Sequence, residues 1–297
     1  MDVGGAGAAV VTVIPALFAG LCDDAALFPP GNAPLPDAVP AHARHRSALY
    51  ADLVGPFVFP VDRLNELASG PLELSLTLPG GPATLEPALE RLAQIDGARA
   101  VALEIAVPAY RSAAEFFAAM DAVAALTGGV DVFVEVPRGE RRADFVDALA
   151  GGPFAAKFRT GGVAAEAYPD ETELGSALRS VIASGVPFKA TAGLHHAVRN
   201  TDPHTGFEQH GFLNVLLATR YALDGAGADR VAAVLAERDG ARIARELGDL
   251  PADVVGAVRT AFRSFGTCSI LEPLEDLVAL HLVPNTVLAS ADQGAHA

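Results

Sequence analysis

Two lysines stand where lysine is least expected. Lys157 lies in FAAKFRT and Lys189 in VPFKATA, each inside a short apolar run that ends at a glycine turn. Taking an ammonium group out of water is costly unless it is paired, so both positions call for a use. Glu104 in AVALEIAV and Glu135 in VDVFVEV are acids in equally apolar runs, and Arg159 follows Lys157 by two positions. Side chains alternate along a strand, which puts Lys157 and Arg159 on one side. A lysine attacks a carbonyl only as the neutral amine, so its pKa must fall below the ordinary value of about 10.4. Burial and a second ammonium nearby both lower it, and a carboxylate alongside can shuttle protons. Lys157, Lys189 and Glu104 thus compose a Schiff-base site that needs neither metal nor organic cofactor. The same three residues could instead form lysine–glutamate bridges that close a barrel interior.

A second cluster is rich in histidine. His195, His196, His204 and His210, with Asp202 and Glu208, crowd one polar stretch. Such a density of imidazole and carboxylate could hold a divalent metal, although the spacing matches no H-E-x-x-H pattern or relative of it. Substrate contact, an acid–base role for one histidine, or a solvated loop with turn roles for TDPHTG are the other readings. Cys268, at a strand end, reads as a small buried residue, and Glu272 and Glu275 as the opening of the final helix. His42 and His45 read as a polar helix face.

The elements that must position these residues alternate regularly. Candidate strands are residues 24–28, 56–60, 72–78, 100–107, 130–136, 154–160, 186–192 and 266–271, with amphipathic helical segments between most of them. DETELGSAL places acids in a first turn, which suits a helix N-terminus. Continuously apolar strands separated by helices predict a parallel sheet buried on both faces, and eight strands are the number that closes a (β/α)8 barrel. An open doubly wound sheet is disfavoured because no G-x-G-x-x-G follows the first strand and no G-x-x-x-x-G-K-[ST] occurs. Near the C-terminal ends of barrel strands inward residues converge, which brings Glu104, Lys157 and Lys189 together. Residues 193–265 are too long for one crossover helix and read as an insertion between the seventh and eighth strands, inside a single domain spanning 1–297. The apolar stretch GAGAAVVTVIPALFAGLC reads as an N-terminal helix packing under the barrel. It lacks a basic leading region and a cleavage pattern, and Pro15 interrupts it short of a bilayer span.

In these residues the chain resembles the deoxyribose-phosphate aldolase type of class I aldolase. AKFRTGG carries K-x-x-T-G at Lys157, Thr160 and Gly161, VPFKATAGL carries Lys189 and Gly193, and SFGTCSIL at 264–271 is similar to the family's eighth strand. Weaker echoes are FVFP (57–60), LTLPGG (76–81), LEIAVP (103–108) and VFVEVPRGE (132–140), in register through most of the barrel. The resemblance implies that Lys157 forms the imine, that Lys189 lowers its pKa, and that Glu104 replaces an aspartate of the proton relay. It further implies an acid near the first strand, Asp24 or Asp23. On the substrate side it implies Thr160, Gly161, Gly193 and Ser269; Arg159, Glu135, His195 and His196 are further substrate-binding candidates at the mouth, the two histidines standing where the family has other residues. The phosphate-binding elements depart from the family: its Gly-Gly is Ala192-Gly193, its serine pair is Cys268-Ser269, and a lysine is Gly162. Arg159 could supply a guanidinium instead. The resemblance therefore implies retained machinery and a changed substrate.

The chain has 297 residues, 51% hydrophobic and 19% charged, with a formal net charge of −15. An acidic surface argues against nucleic acid and anionic membrane as partners, and two cysteines cannot make a disulfide framework. The expectation is a cytoplasmic barrel enzyme, a carbon–carbon lyase with a small carbonyl substrate and no cofactor beyond its own imine. Homo-oligomerisation is left open. Two readings compete with it. One is a metal-dependent barrel hydrolase, lyase or isomerase using His195, His196, His204 and His210 with Glu104 or Glu135. The other is a non-catalytic barrel that binds a small ligand.

Overall fold

A computed structural model describes residues 13–289. Eight parallel strands close into a barrel: β1 (Cys22–Asp24), β2 (Val54–Pro60), β3 (Leu72–Leu78), β4 (Ala98–Ala106), β5 (Asp131–Glu135), β6 (Ala155–Arg159), β7 (Phe188–Thr191) and, after the insertion, β10 (Phe262–Thr267). Around the barrel β1 neighbours β2 and β10, and β10 neighbours β7, so the ring has no free edge. This is the (β/α)8 barrel that the alternating pattern predicts. Apolar side chains of the outward parity, such as Phe57, Leu74, Leu103 and Phe158, are buried in one core that runs from Ile14 to Val287.

The helices follow local chemistry. In α3 (Ala113–Val123) Ser112 and Glu115 form a reciprocal capping box. Asp170 accepts from the Glu173 amide to start α5 (Glu171–Ala183), the helix whose acidic first turn is legible in the sequence. Among the described residues no helix is long and apolar enough to cross a membrane.

The insertion between β7 and β10 holds a two-stranded hairpin, β8 (Asn200–Thr201) with β9 (Glu208–Gln209), then α6 (Phe212–Leu223), α7 (Ala228–Leu235), α8 (Gly240–Gly248) and α9 (Ala252–Ala261). Helix α6 is buried from Phe212 to Thr219 and packs on α5, α7, α9 and β10, so it serves as a wall of the barrel. Asn214 fastens the segment by accepting from the Arg199 amide (2.8 Å) and donating to the carbonyls of Val234 (2.9 Å) and Glu237 (2.8 Å).

Three expectations need correction. Strand β1 ends at Asp24 rather than beginning there, because the Asp24 carboxylate accepts from the Ala26 amide (3.1 Å) and turns the chain. Strand β10 starts at Phe262, directly after α9, and of the expected strand's SIL, Ser269 and Ile270 form the turn into α10 (Leu271–Ala279), which Leu271 opens. Of the expected N-terminal helix, residues 1–12 lie outside the described residues, and 13–21 are turns around Pro15 and Gly20. Ile14, Leu17, Phe18 and Leu21 nonetheless enter the core.

The glycine turns after the two lysine strands explain each other. A Cβ on Gly193 would lie 2.9 Å from Gly161 Cα and 2.8 Å from Tyr168 Cε1, and Gly193 has φ +73. Thr160 Oγ1 ties the same turns by donating to Ala192 O (2.5 Å). These glycines let β6 and β7 approach closely at their C-terminal ends, where the lysines stand. Gly193→Ala is expected to destabilise the protein by at least the ~1–2 kcal/mol of a left-handed residue, seen as a lower denaturation midpoint. Gly225→Ala, at φ +80 in open space, should show the backbone cost without the added clash.

Candidate active site

Register decides which polar residues meet. On parallel strands paired residues share a face, and Glu135 pairs with Lys157, which pairs with Lys189. Glu104 joins from β4. Asp23 joins from β1, where it lies across from Gly266. The result is a chain of alternating charge through the barrel interior. Arg159 Nε donates to Glu135 Oε1 at 3.2 Å, and Glu135 Oε2 is 2.9 Å from Lys157 Nζ. Lys157 Nζ is 2.8 Å from Glu104 Oε2, and Glu104 Oε1 is 2.6 Å from Lys189 Nζ. Lys189 Nζ then reaches Asp23 Oδ2 at 2.5 Å. Three cations thus meet three anions. Ser75 Oγ donates to Glu104 (2.7 Å) and Ser264 Oγ to Asp23 (2.8 Å), while Lys189 Nζ stands 5.1 Å from the centre of the Phe133 ring.

Burial is graded along this chain. Lys189 is 0% exposed and Lys157 5%, whereas the side chains of Glu135 and Arg159 are 24% and 46% exposed. The Lys157 end faces the mouth and the Lys189 end is sealed. Burial pulls the Lys189 ammonium down, but the Asp23 and Glu104 carboxylates outweigh it and raise its pKa. Lys157 behaves likewise: burial lowers it, and Glu104 and Glu135 raise it further, for a net rise. Burial raises the Glu104 carboxyl, yet the two ammonium groups hold it well below its usual range. Glu135 is lowered against burial by Lys157 and Arg159, and Asp23 is raised because burial there outweighs Lys189. The expectation that Lys189 keeps Lys157 neutral is therefore corrected: Glu104 stands between the two, and the carboxylates hold both lysines charged at rest.

The remaining candidates separate. Asp24 points outward, where its Oδ2 is 2.9 Å from Nδ1 of buried His42 on α1 (Leu35–Ser47); alternation along β1 makes Asp23 the inward acid. His42 is accordingly no exposed helix face. Thr160 and Gly161 are spent on the contact with the β7 turn. Ser269 Oγ accepts from the Glu272 amide (3.3 Å) at the start of α10. The four histidines do not converge on one centre. His210 is buried between Pro169 O (2.8 Å) and Arg199 (3.3 Å), and burial, with the guanidinium, holds it down at about 4. His204 is an exposed turn residue, and His196 faces Asp276 (3.2 Å). His195 instead meets Cys268 and Glu272 (each 3.5 Å). Burial pulls His195 down, but its contacts with Cys268 and Glu272 push it up to about 10.

Ser75 and Ser264 were not foreseen as partners. Their signal is parity, since each is a polar residue of inward register in an apolar strand. The chain matches no family model, and no curated protein matches it.

Lys189→Met removes the ammonium shared by Asp23 and Glu104 and should cost about 3–5 kcal/mol at neutral pH. Asp23, left without its cation while Glu104 keeps Lys157, then binds a proton more tightly folded than unfolded, so the variant should regain stability as the pH falls toward about 4. The wild type should lose stability over the same range, because folding holds Glu104 and Glu135 below their unfolded values. Urea titrations from pH 7 to pH 4 read both trends.

Proposed function

We propose that this barrel is a carbon–carbon lyase of the Schiff-base type, acting on a small carbonyl compound through Lys157. The observation that carries the reading is one carboxylate, Glu104, held between two lysines at 2.6 and 2.8 Å inside the barrel. A carboxylate so placed can pass protons to and from an amine that bonds to carbon.

The two lysines have different parts in this reading. Lys189 is sealed and clasped by two acids, so it acts as a fixed positive charge that keeps Glu104 ionised and oriented. Lys157 is the one that a substrate entering past Glu135 and Arg159 can reach. Its proton leaves to Glu135 or Glu104, the neutral amine adds to the carbonyl carbon, and loss of water from the carbinolamine gives the imine. Protonated to the iminium, it accepts the electron pair of the breaking carbon–carbon bond while a carboxylate takes the proton of the β-hydroxyl; the aldehyde fragment leaves, the enamine takes a proton on carbon, and water hydrolyses the iminium to return the amine. Arg159, half exposed at the rim, suits an anionic group on the substrate.

The raised pKa of Lys157 favours a second reading, a ligand-binding barrel whose lysines are structural bridges. Kinetics separates the two. Against a panel of small hydroxy-aldehydes and hydroxy-ketones, cleavage should vanish in Lys157→Ala and fall ~10²–10⁴-fold in Glu104→Gln, the usual worth of an acid–base group. In the wild type kcat/KM should climb roughly tenfold per pH unit above neutrality, as the neutral fraction of Lys157 does below its pKa. Activity unchanged in Lys157→Ala, or no cleavage of any carbonyl compound, would favour the bridge reading.

A further inference from the structure

A second constellation lies at the same end of the barrel and has no part in the lysine chemistry. After β7 the chain passes through two left-handed residues, Ala192 (φ 63) and Gly193 (φ 73), and buries Leu194. His195 follows immediately. Cys268 comes directly after β10, set against Gly31, where an added Cβ would lie 3.0 Å from Cys268 Cβ. Glu272 sits in the first turn of α10. Three separate segments thus bring a nitrogen, a sulfur and an oxygen together.

Their atoms are spaced like metal ligands. Cys268 Sγ is 3.5 Å from His195 Nδ1, which is 3.5 Å from Glu272 Oε2, and the three ligand atoms lie within 4.8 Å of one another. Around a tetrahedral zinc ion, bonds of about 2.3 Å to sulfur and about 2.0–2.2 Å to nitrogen and oxygen put ligand atoms roughly 3.3–3.6 Å apart. Two edges already have that length, and the part-exposed Glu272 side chain can shorten the third. Hydrogen bonding alone serves the group poorly. Both neighbours approach the same ring nitrogen, which has one proton at most to give, and the buried Glu272 Oε2 has no hydrogen-bond partner. A cysteine nucleophile activated by histidine and acid needs the acid on the other ring nitrogen, so that arrangement is absent here.

We propose that His195 Nδ1, Cys268 Sγ and Glu272 bind a divalent ion of zinc type, with a fourth position left to water or a ligand atom. A mixed nitrogen, sulfur and oxygen set suits such a borderline ion rather than magnesium or calcium. Bound there, the ion would pin the loop after β7 to the turn from β10 into α10, two segments that follow neighbouring strands at the mouth of the barrel. The proposal stands apart from the imine reading, and it differs from a site made by the histidines of the insertion.

Adding Co²⁺ to chelator-treated full-length protein tests it. One ion per chain is expected, with the visible bands of tetrahedral cobalt and a near-ultraviolet sulfur-to-metal band. Zn²⁺ should displace it. Cys268→Ser should abolish the sulfur band. His195→Ala and Glu272→Gln should weaken binding by at least the ~10–100-fold that loss of an outer partner costs. His196→Ala, His204→Ala and Lys157→Ala should bind as the wild type does, the last showing that metal and imine sites are independent. No cobalt spectrum, a sulfur band that survives Cys268→Ser, or unchanged affinity in both His195→Ala and Glu272→Gln would overturn the site. Should Cys268→Ser melt early without metal, Glu272→Gln on the part-exposed helix turn decides.

Discussion

The structure depends on one requirement: a charge taken into the barrel must find its opposite there. Lys189 is fully buried, and its partners come from β1 and β4, far away in sequence. Lys157 draws on β4 and β5. No single strand supplies both carboxylates of either lysine, and the two that hold Lys189 come from strands that are not neighbours, so the ion chain is complete only when the ring is closed and in register. A slip of one residue on β6 or β7 would turn a lysine outward among the helices. Such a cluster adds little net stability compared with well-packed apolar residues, but it penalises every arrangement that leaves a member unpaired. It therefore specifies register more than it strengthens the fold.

The same pairing shapes the chemistry. Glu104 gives one oxygen to each lysine and accepts from Ser75, so its position and ionisation are fixed from three sides. Exposure rises from Lys189 outward to Arg159, which makes the chain a graded path from a sealed anchor to an open rim. In the proposed lyase a carbonyl compound entering at the rim would meet Arg159 and Glu135 first and Lys157 next. The two close-packed glycine turns serve this arrangement by drawing the ends of β6 and β7 together just past the lysines.

Much of this was legible before any coordinates. Strand periodicity predicts the barrel and places β3 at its observed bounds, and the convergence of inward residues near the C-terminal ends of barrel strands predicts that Glu104, Lys157 and Lys189 share one interior. What parity could not settle was Asp23 against Asp24. The choice turns on where β1 ends, and that is fixed by the contact of Asp24 with the Ala26 amide. Strand β10 was placed late because α9 runs into it with no turn residue to mark the boundary. The protonation of the lysines is not legible in the sequence, which shows the second ammonium but not the carboxylate lodged between the two. The histidine cluster misled for a related reason. Closeness in sequence is not closeness in space: His195 finds Cys268 and Glu272, more than 70 positions away, through the closure of β7 on β10.

The central claim is that Lys157, and not Lys189, is the amine that meets carbon. Borohydride reduction of the protein with small aldehydes and ketones, followed by intact mass and peptide mapping, addresses it most directly. The account predicts one reduced adduct per chain, carried on Lys157, absent in Lys157→Ala, and forming faster as the pH rises above neutrality. An adduct on Lys189, or none with any carbonyl compound up to alkaline pH, would contradict it and leave the lysines as the bridges of a binding barrel.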